Sequence, residues 1–268
     1  MMSYLSRPEG RIAYDRAGEG PMVLMVPGMG DLRSTYRFLV PDLVAAGFTA
    51  VSVDLRGHGD SDVGFGSYGD VETAEDLAAL LDELAAPAVV VGNSMGAGAA
   101  AYLAACRPEL VRGLVLLGPF VRNGQLSAAQ RIMMRVALAR PWVVSAWRYY
   151  IPRLYAGRRP EDFADHLAEI TESLKRPGYA SAFAALTRTL DHDPVEQRLG
   201  EVASPTLVVM GALDPDFPDP EAEARWIAQT LGGEVVMVPE AGHYPHAQRP
   251  DVVGRAVVDF AQKAQPGA

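Results

Sequence analysis

Cysteine is almost absent. The chain holds one, Cys106, so no internal disulfide can form and nothing argues for an oxidising compartment. Cys106 stands at the end of an alanine-rich stretch and reads as a small core residue. The first ten residues, Met-Met-Ser-Tyr-Leu-Ser-Arg-Pro-Glu-Gly, lack the apolar segment of a signal peptide. No apolar run reaches the roughly 18 residues of a membrane span. Positive charge is scarce as well: 24 Lys and Arg stand against 33 Asp and Glu, for a net charge of −9. That balance disfavours nucleic-acid binding, which depends on neutralising phosphates. The expectation is a soluble cytoplasmic protein, and with 49% apolar residues in 268 the chain can bury a full core.

What is present is an alternation of short β-branched runs and helical patterns. Residues 3–7 and 11–16, split by Pro8-Glu9-Gly10, predict an antiparallel hairpin. Buried strands are predicted at Met22–Val26, Ala50–Val53, Leu114–Leu117, Thr206–Gly211 and Glu234–Val238. Helices are predicted at Ser34–Ala46, Thr73–Leu84, Glu221–Leu231 and Val252–Ala264. Such alternation implies a mostly parallel sheet covered on both faces. From Gly118 to about Asp193 it breaks, leaving helical periodicity alone. The expected organisation is a core of residues 1–118 and 193–268 with a helical cap inserted at 119–192, over the strand ends where ligands bind in open sheets.

The strongest local signal is Gly92-Asn93-Ser94-Met95-Gly96, set between the apolar run ending at Val91 and the small-residue stretch Ala97 to Cys106. Strand, Gly-x-Ser-x-Gly turn and helix are the parts of a nucleophile elbow, which exposes a serine hydroxyl on a sharp bend. Chance alone gives about 0.1 such matches in a chain of this composition, so the downstream partners carry the argument. Serine needs a base, and the base needs a third group to hold it. Of five histidines, His243 lies in the loop after the last strand. Asp214 follows strand 206–211, with Asp216 and Asp219 as rivals in the same loop. The order Ser94, Asp214, His243 is that expected of an elbow enzyme.

These features, with the Asp54-Leu55-Arg56-Gly57-His58-Gly59-Asp60-Ser61 turn and the small-residue loop Pro27-Gly28-Met29-Gly30, resemble the α/β-hydrolase superfamily over essentially the whole chain. The serine departs from the dehalogenase and epoxide hydrolase branches, which attack with Asp. Gly-Asn-Ser-Met-Gly is similar to the elbow of the carbon–carbon bond hydrolases. That branch usually has His-Gly after the first parallel strand and Trp after the catalytic His, where Pro27-Gly28 and His243-Tyr244 stand here. The resemblance implies an oxyanion hole formed by the backbone N–H groups of Met29 and Met95. It also implies a serine hydrolase of ester-like acyl bonds that needs no cofactor, with thioesterase, lactonase and carbon–carbon hydrolase as alternatives. A ligand sensor or partner-binding protein with slow turnover is the rival from another class.

The inserted stretch is unexpectedly basic. Between Pro119 and Pro160 there are eight arginines and no Asp or Glu, alongside Trp142, Trp147, Tyr149, Tyr150 and Tyr155. The plain reading is a solvated basic face over an apolar packing face. A sharper one has Arg131 and Arg135 meeting an anionic small-molecule substrate, with Trp142, Trp147 and Tyr244 lining its pocket. Attraction to an anionic membrane surface or acidic partner is a third reading. His243 and His246 form a His-x-x-His pair, but no third ligand has metal-site spacing, so no metal is expected. Gly64-Phe-Gly-Ser-Tyr-Gly69 follows no strand directly and carries little weight as a dinucleotide loop. Arg56, His58 and Asp60 read as turn-forming residues.

Overall fold

The computed structural model describes residues 2–124, 136 and 138–265. The strands are β1 (Met2–Arg7), β2 (Gly10–Ala17), β3 (Met22–Val26), β4 (Thr49–Val53), β5 (Ala88–Asn93), β6 (Val111–Leu117), β7 (Thr206–Gly211) and β8 (Glu234–Val238). They form one eight-stranded sheet in the order β1-β2-β4-β3-β5-β6-β7-β8. β1 and β2 are the antiparallel hairpin, β2 meets β4 antiparallel, and every pairing from β4 to β8 is parallel.

The helices, in chain order, are α1 (Leu39–Ala45), α2 (Asp70–Leu84), α3 (Met95–Cys106), α4 (Val143–Leu154), α5 (Phe163–Lys175), α6 (Tyr179–Thr189), α7 (Asp193–Glu196), α8 (Pro220–Leu231), α9 (Pro245–Gln248) and α10 (Pro250–Lys263). Every residue of β3 is buried because alternate side chains enter different layers. Leu24 and Val26 join the core on the α2, α3 and α8 face, whereas Val23 and Met25 join the one beneath α1 and α10. A third apolar cluster belongs to the helices between β6 and β7: Val143, Trp147, Ile151, Ile170 and Phe183 pack with Leu32 and Tyr244 of the strand-end loops and Ala247 of α9.

Two expectations are corrected. The single helix over 34–46 is a 3₁₀ turn, Arg33–Tyr36, followed by α1. Pro41 is the third residue of α1, where its missing N–H would have had no intrahelical acceptor. Cys106, expected in the core, is exposed as the last residue of α3. The buried stripe of that helix ends at Ala104, and Cys106 lies beside the partly buried Tyr102 instead.

Candidate active site

Ser94 caps α3 with φ 56° and ψ −124°, a backbone conformation that L-residues rarely adopt. The glycines around it permit the bend. A Cβ on Gly92 would lie 2.6 Å from Ala97 Cα, and one on Gly96 would lie 2.6 Å from the Val26 carbonyl oxygen. Ser94 is 9% exposed. Asn93, which the sequence reading passed over, ties the elbow to two other strand-end segments. Its Nδ2 donates to the carbonyls of Leu117 (2.9 Å) and His243 (3.1 Å).

His243 and Asp214 meet at the ends of β8 and β7. Nδ1 of His243 lies 2.8 Å from Asp214 Oδ2, and both residues are buried. This contact places the imidazole proton on Nδ1 and leaves Nε2 as the basic nitrogen. Burial penalises the imidazolium, but the charge of Asp214 and its hydrogen bond outweigh that, with help from Asp216, and hold His243 up at about 9. Asp216, the rival acid, stands farther off: its Oδ2 is 3.8 Å from the same nitrogen. Burial pushes the Asp216 carboxyl up, against the pull of His243 and of a hydrogen bond from Tyr150. The ring of Phe120 lies edge-on to His243 at 5.7 Å.

The loop after β3 runs beside the nucleophile, since a Cβ on Gly28 would come within 2.8 Å of Ser94 Cβ. Met29 lies in this loop and Met95 opens α3, whose N-terminal dipole favours negative charge. The Gly30 peptide is held from both sides. Its N–H donates to His58 Nε2 (2.9 Å), and its carbonyl accepts from Trp147 Nε1 (2.9 Å). His58 Nδ1 faces the Arg56 carbonyl at 3.0 Å, and burial keeps the ring neutral, so Nδ1 carries the proton. The histidine of the Arg-Gly-His-Gly turn is thus an acceptor for a loop beside Ser94.

The remaining residues singled out in the sequence divide. Trp147 is buried against the loop, and Tyr244 is buried and stacked on Tyr155 at 4.7 Å. Trp142 is 49% exposed and donates to the Val136 carbonyl. Arg131 and Arg135 lie outside the described residues. Arg140, Arg148, Arg153, Arg158 and Arg159 are exposed, while Arg122 pairs with Glu223 at 2.5 Å. His246 does not reach a shared metal position with His243; it stacks on Tyr36 and meets Thr35 Oγ1 at 3.0 Å. Asp214, Asp216 and His243 bring one ligand atom each within 4.8 Å of one another. Those atoms include the pair already joined in the His–Asp contact, which is a sufficient reason for the cluster.

A cavity of about 770 Å³ lies elsewhere, lined by Arg33, Arg37, Asp60, Glu169 and Arg176. Its cations are matched by carboxylates: Arg33 by Asp15 (2.6 Å) and Asp60 (2.9 Å), and Arg37 by Asp162 (2.5 Å). Volume alone does not make a reacting centre, and the strained serine and the His–Asp pair stand at the strand ends.

Among the described residues no helix is long and apolar enough to cross a membrane. The chain is 30% identical to 2-(acetamidomethylene)succinate hydrolase of Mesorhizobium japonicum, over 94% of this chain and 92% of that protein. It is 28% identical to a 2-hydroxy-6-oxononadienedioate/2-hydroxy-6-oxononatrienedioate hydrolase of Paraburkholderia xenovorans, over 94% and 91%. A thermophilic esterase from Thermogutta terrifontis superposes with a TM-score of 0.82 at 26% identity, covering 99% of this chain and all of that one. Residues 23–256, from the first parallel strand to the last helix, match the Alpha/beta hydrolase family, and to that family the chain belongs.

Proposed function

We propose that the protein is a serine hydrolase that cleaves an ester-like acyl bond of a small molecule through an acyl-enzyme. The observation that carries this reading is the conjunction at the strand ends. A serine held at positive φ on the elbow shares one sheet edge with a buried histidine whose Nδ1 is 2.8 Å from a buried carboxylate. In this reading His243 Nε2 takes the Ser94 proton and Oγ attacks the carbonyl carbon. The N–H groups of Met29 and Met95 receive the negative charge on the oxygen. Such donors suit the task because they are oriented before the charge develops, and losing one costs on the order of 10²–10³ in kcat. Asp214 holds the imidazole in the required tautomer and stabilises its charged form. The proton passes to the leaving group, and a water activated by His243 then releases the acid and frees Ser94.

The helices between β6 and β7 serve as a cap in this scheme, their apolar cluster resting on Leu32 and Tyr244 of the strand-end loops. Two relatives are named for substrates bearing two carboxylates, a succinate and a dioate, so the substrate panel includes anionic compounds. The test is labelling by a fluorophosphonate together with turnover of p-nitrophenyl esters, a thioester, a lactone and a carboxylate-bearing ester. Ser94→Ala is the control. Labelling that disappears in Ser94→Ala supports the nucleophile, and absence of labelling at Ser94 overturns it. Labelling with negligible turnover of every substrate, alongside tight ligand binding, favours a sensor.

A further inference from the structure

One face of α4 touches three of the four strand-end segments that carry the proposed machinery, those after β3, β7 and β8. Trp147 Nε1 donates to the Gly30 carbonyl (2.9 Å), in the loop that holds Met29. Tyr150, three residues on, donates through its hydroxyl to Asp216 Oδ1. The carbonyl of Leu154, the last residue of α4, accepts from the His243 N–H (2.8 Å). Residues 147, 150/151 and 154 follow helical spacing and form one stripe. Trp147, Ile151 and Leu154 are buried, and Tyr150 is half-buried with its ring 5.8 Å from that of Trp147. The three bonds go to loops after β3, β7 and β8.

The middle contact has a chemical consequence. Asp216 presents Oδ1 to Tyr150 and Oδ2 to His243 Nδ1 at 3.8 Å, while its own N–H donates to Asp214 Oδ1 (3.1 Å). The tyrosine therefore fixes how a second carboxylate stands behind the histidine. The charged and titratable groups around this point are His243, Asp214 and Asp216, with Tyr150 from α4. Arg153 on the same helix and Asp31 in the loop after β3 act at longer range. A phenol that donates to a carboxylate stabilises its ionised form.

From this geometry we infer that Tyr150 and Trp147 are positioning residues: α4 braces the oxyanion loop and orients Asp216 behind His243, so that the centre is complete only with this helix in place. The inference rests on the serine-hydrolase reading. It goes beyond it by assigning work at the centre to a helix outside the sheet core. Without the Tyr150 hydroxyl, Asp216 is harder to ionise and supports the imidazolium less. His243 then becomes neutral at lower pH.

The experiment compares wild type, Tyr150→Phe, Trp147→Phe and Asp216→Asn on one p-nitrophenyl ester across pH, with thermal unfolding measured on each. Tyr150→Phe is expected to move the ascending limb of kcat against pH downward by roughly half a unit, and Asp216→Asn to move it the same way. Trp147→Phe keeps the ring stack but loses the N–H. It should lower kcat by about tenfold with KM nearly unchanged, a part of what losing an oxyanion donor costs. Should Tyr150→Phe fail to fold, Asp216→Asn reads the same limb. An unmoved limb in the folded variants, or a Trp147→Phe enzyme altered only in KM, overturns the inference. Wild type that fluorophosphonate does not label at Ser94 overturns the underlying reading instead.

Discussion

At the scale of single residues, Ser94 and His243 are under opposite demands. The serine holds φ 56°, which costs a non-glycine residue on the order of 1–3 kcal/mol. Ser94→Gly should therefore abolish turnover yet raise stability by about 1 kcal/mol, as read from urea unfolding. A loss of stability would show that the hydroxyl is structural. His243 must be neutral to accept a proton, and its neighbours hold it at about 9, above the usual 6.5. Activity should accordingly rise with pH and level off above that value. Asp214→Asn removes the main favourable charge, so the midpoint should fall, and wrong-tautomer imidazole should cut kcat on the order of 10⁴. A midpoint that stays put in steady-state kinetics would assign the limb to another group. Ser94, Asp214 and His243 could be picked out as candidates because each follows a recognisable strand within a few residues. Strand spacing favours Asp214 over Asp216, and the distances to His243 Nδ1, 2.8 Å against 3.8 Å, agree with it.

Among the elements, the elbow shows most plainly what a backbone requires of side chains. Gly96 faces the Val26 carbonyl so closely that Gly96→Ala must push β3 and α3 apart. The expected outcome is about 1–3 kcal/mol of destabilisation and slower fluorophosphonate labelling, with both measured on the purified variant. The basic stretch that includes α4 sets charged side chains outward over an apolar packing face. Arg148, Arg153, Arg158 and Arg159 are exposed, and Arg153 and Arg159 lie over Tyr149 and Phe163. Single Arg→Gln changes at these four positions should leave the ratio of activities on carboxylate-bearing and neutral esters within about twofold, as solvated charges contribute little. A collapse of that ratio for any one of them would put it in contact with substrate. Arginine spacing could not show this, because the same positions suit solvent or a pocket until the helix is docked.

For the molecule as a whole, the helical segment is fastened to the sheet domain by a buried ion pair. His166 on α5 meets Asp31, in the loop after β3, at 2.9 Å, and both are buried. Burial opposes the imidazolium, but Asp31 more than compensates and holds His166 at about 9 against 6.5 when unfolded. Reciprocally, His166 brings the Asp31 carboxyl below its usual value despite burial. The histidine's contribution is therefore fully present below 6.5 and lost as pH rises through about 9. Urea unfolding should show lower stability above 9 than near neutrality, and His166→Ala should cost about 3–5 kcal/mol by stranding Asp31. Equal stability of variant and wild type would remove the pair from the account. His166 carries no motif, and its partner lies 135 residues away, so nothing local could announce it.

By itself the sequence determined the strands and their layering, since alternation and β-branched runs decide which faces are buried. It also determined the elbow, since only small residues tolerate so sharp a bend. The family resemblance followed from those same local constraints. Only the tertiary structure decided which carboxylate lies nearer the histidine, what His58 accepts, and that α4 reaches three strand-end loops at once. Those relations join residues far apart in the chain, and hydrogen bonding is decided by distances of an ångström that no sequence pattern encodes.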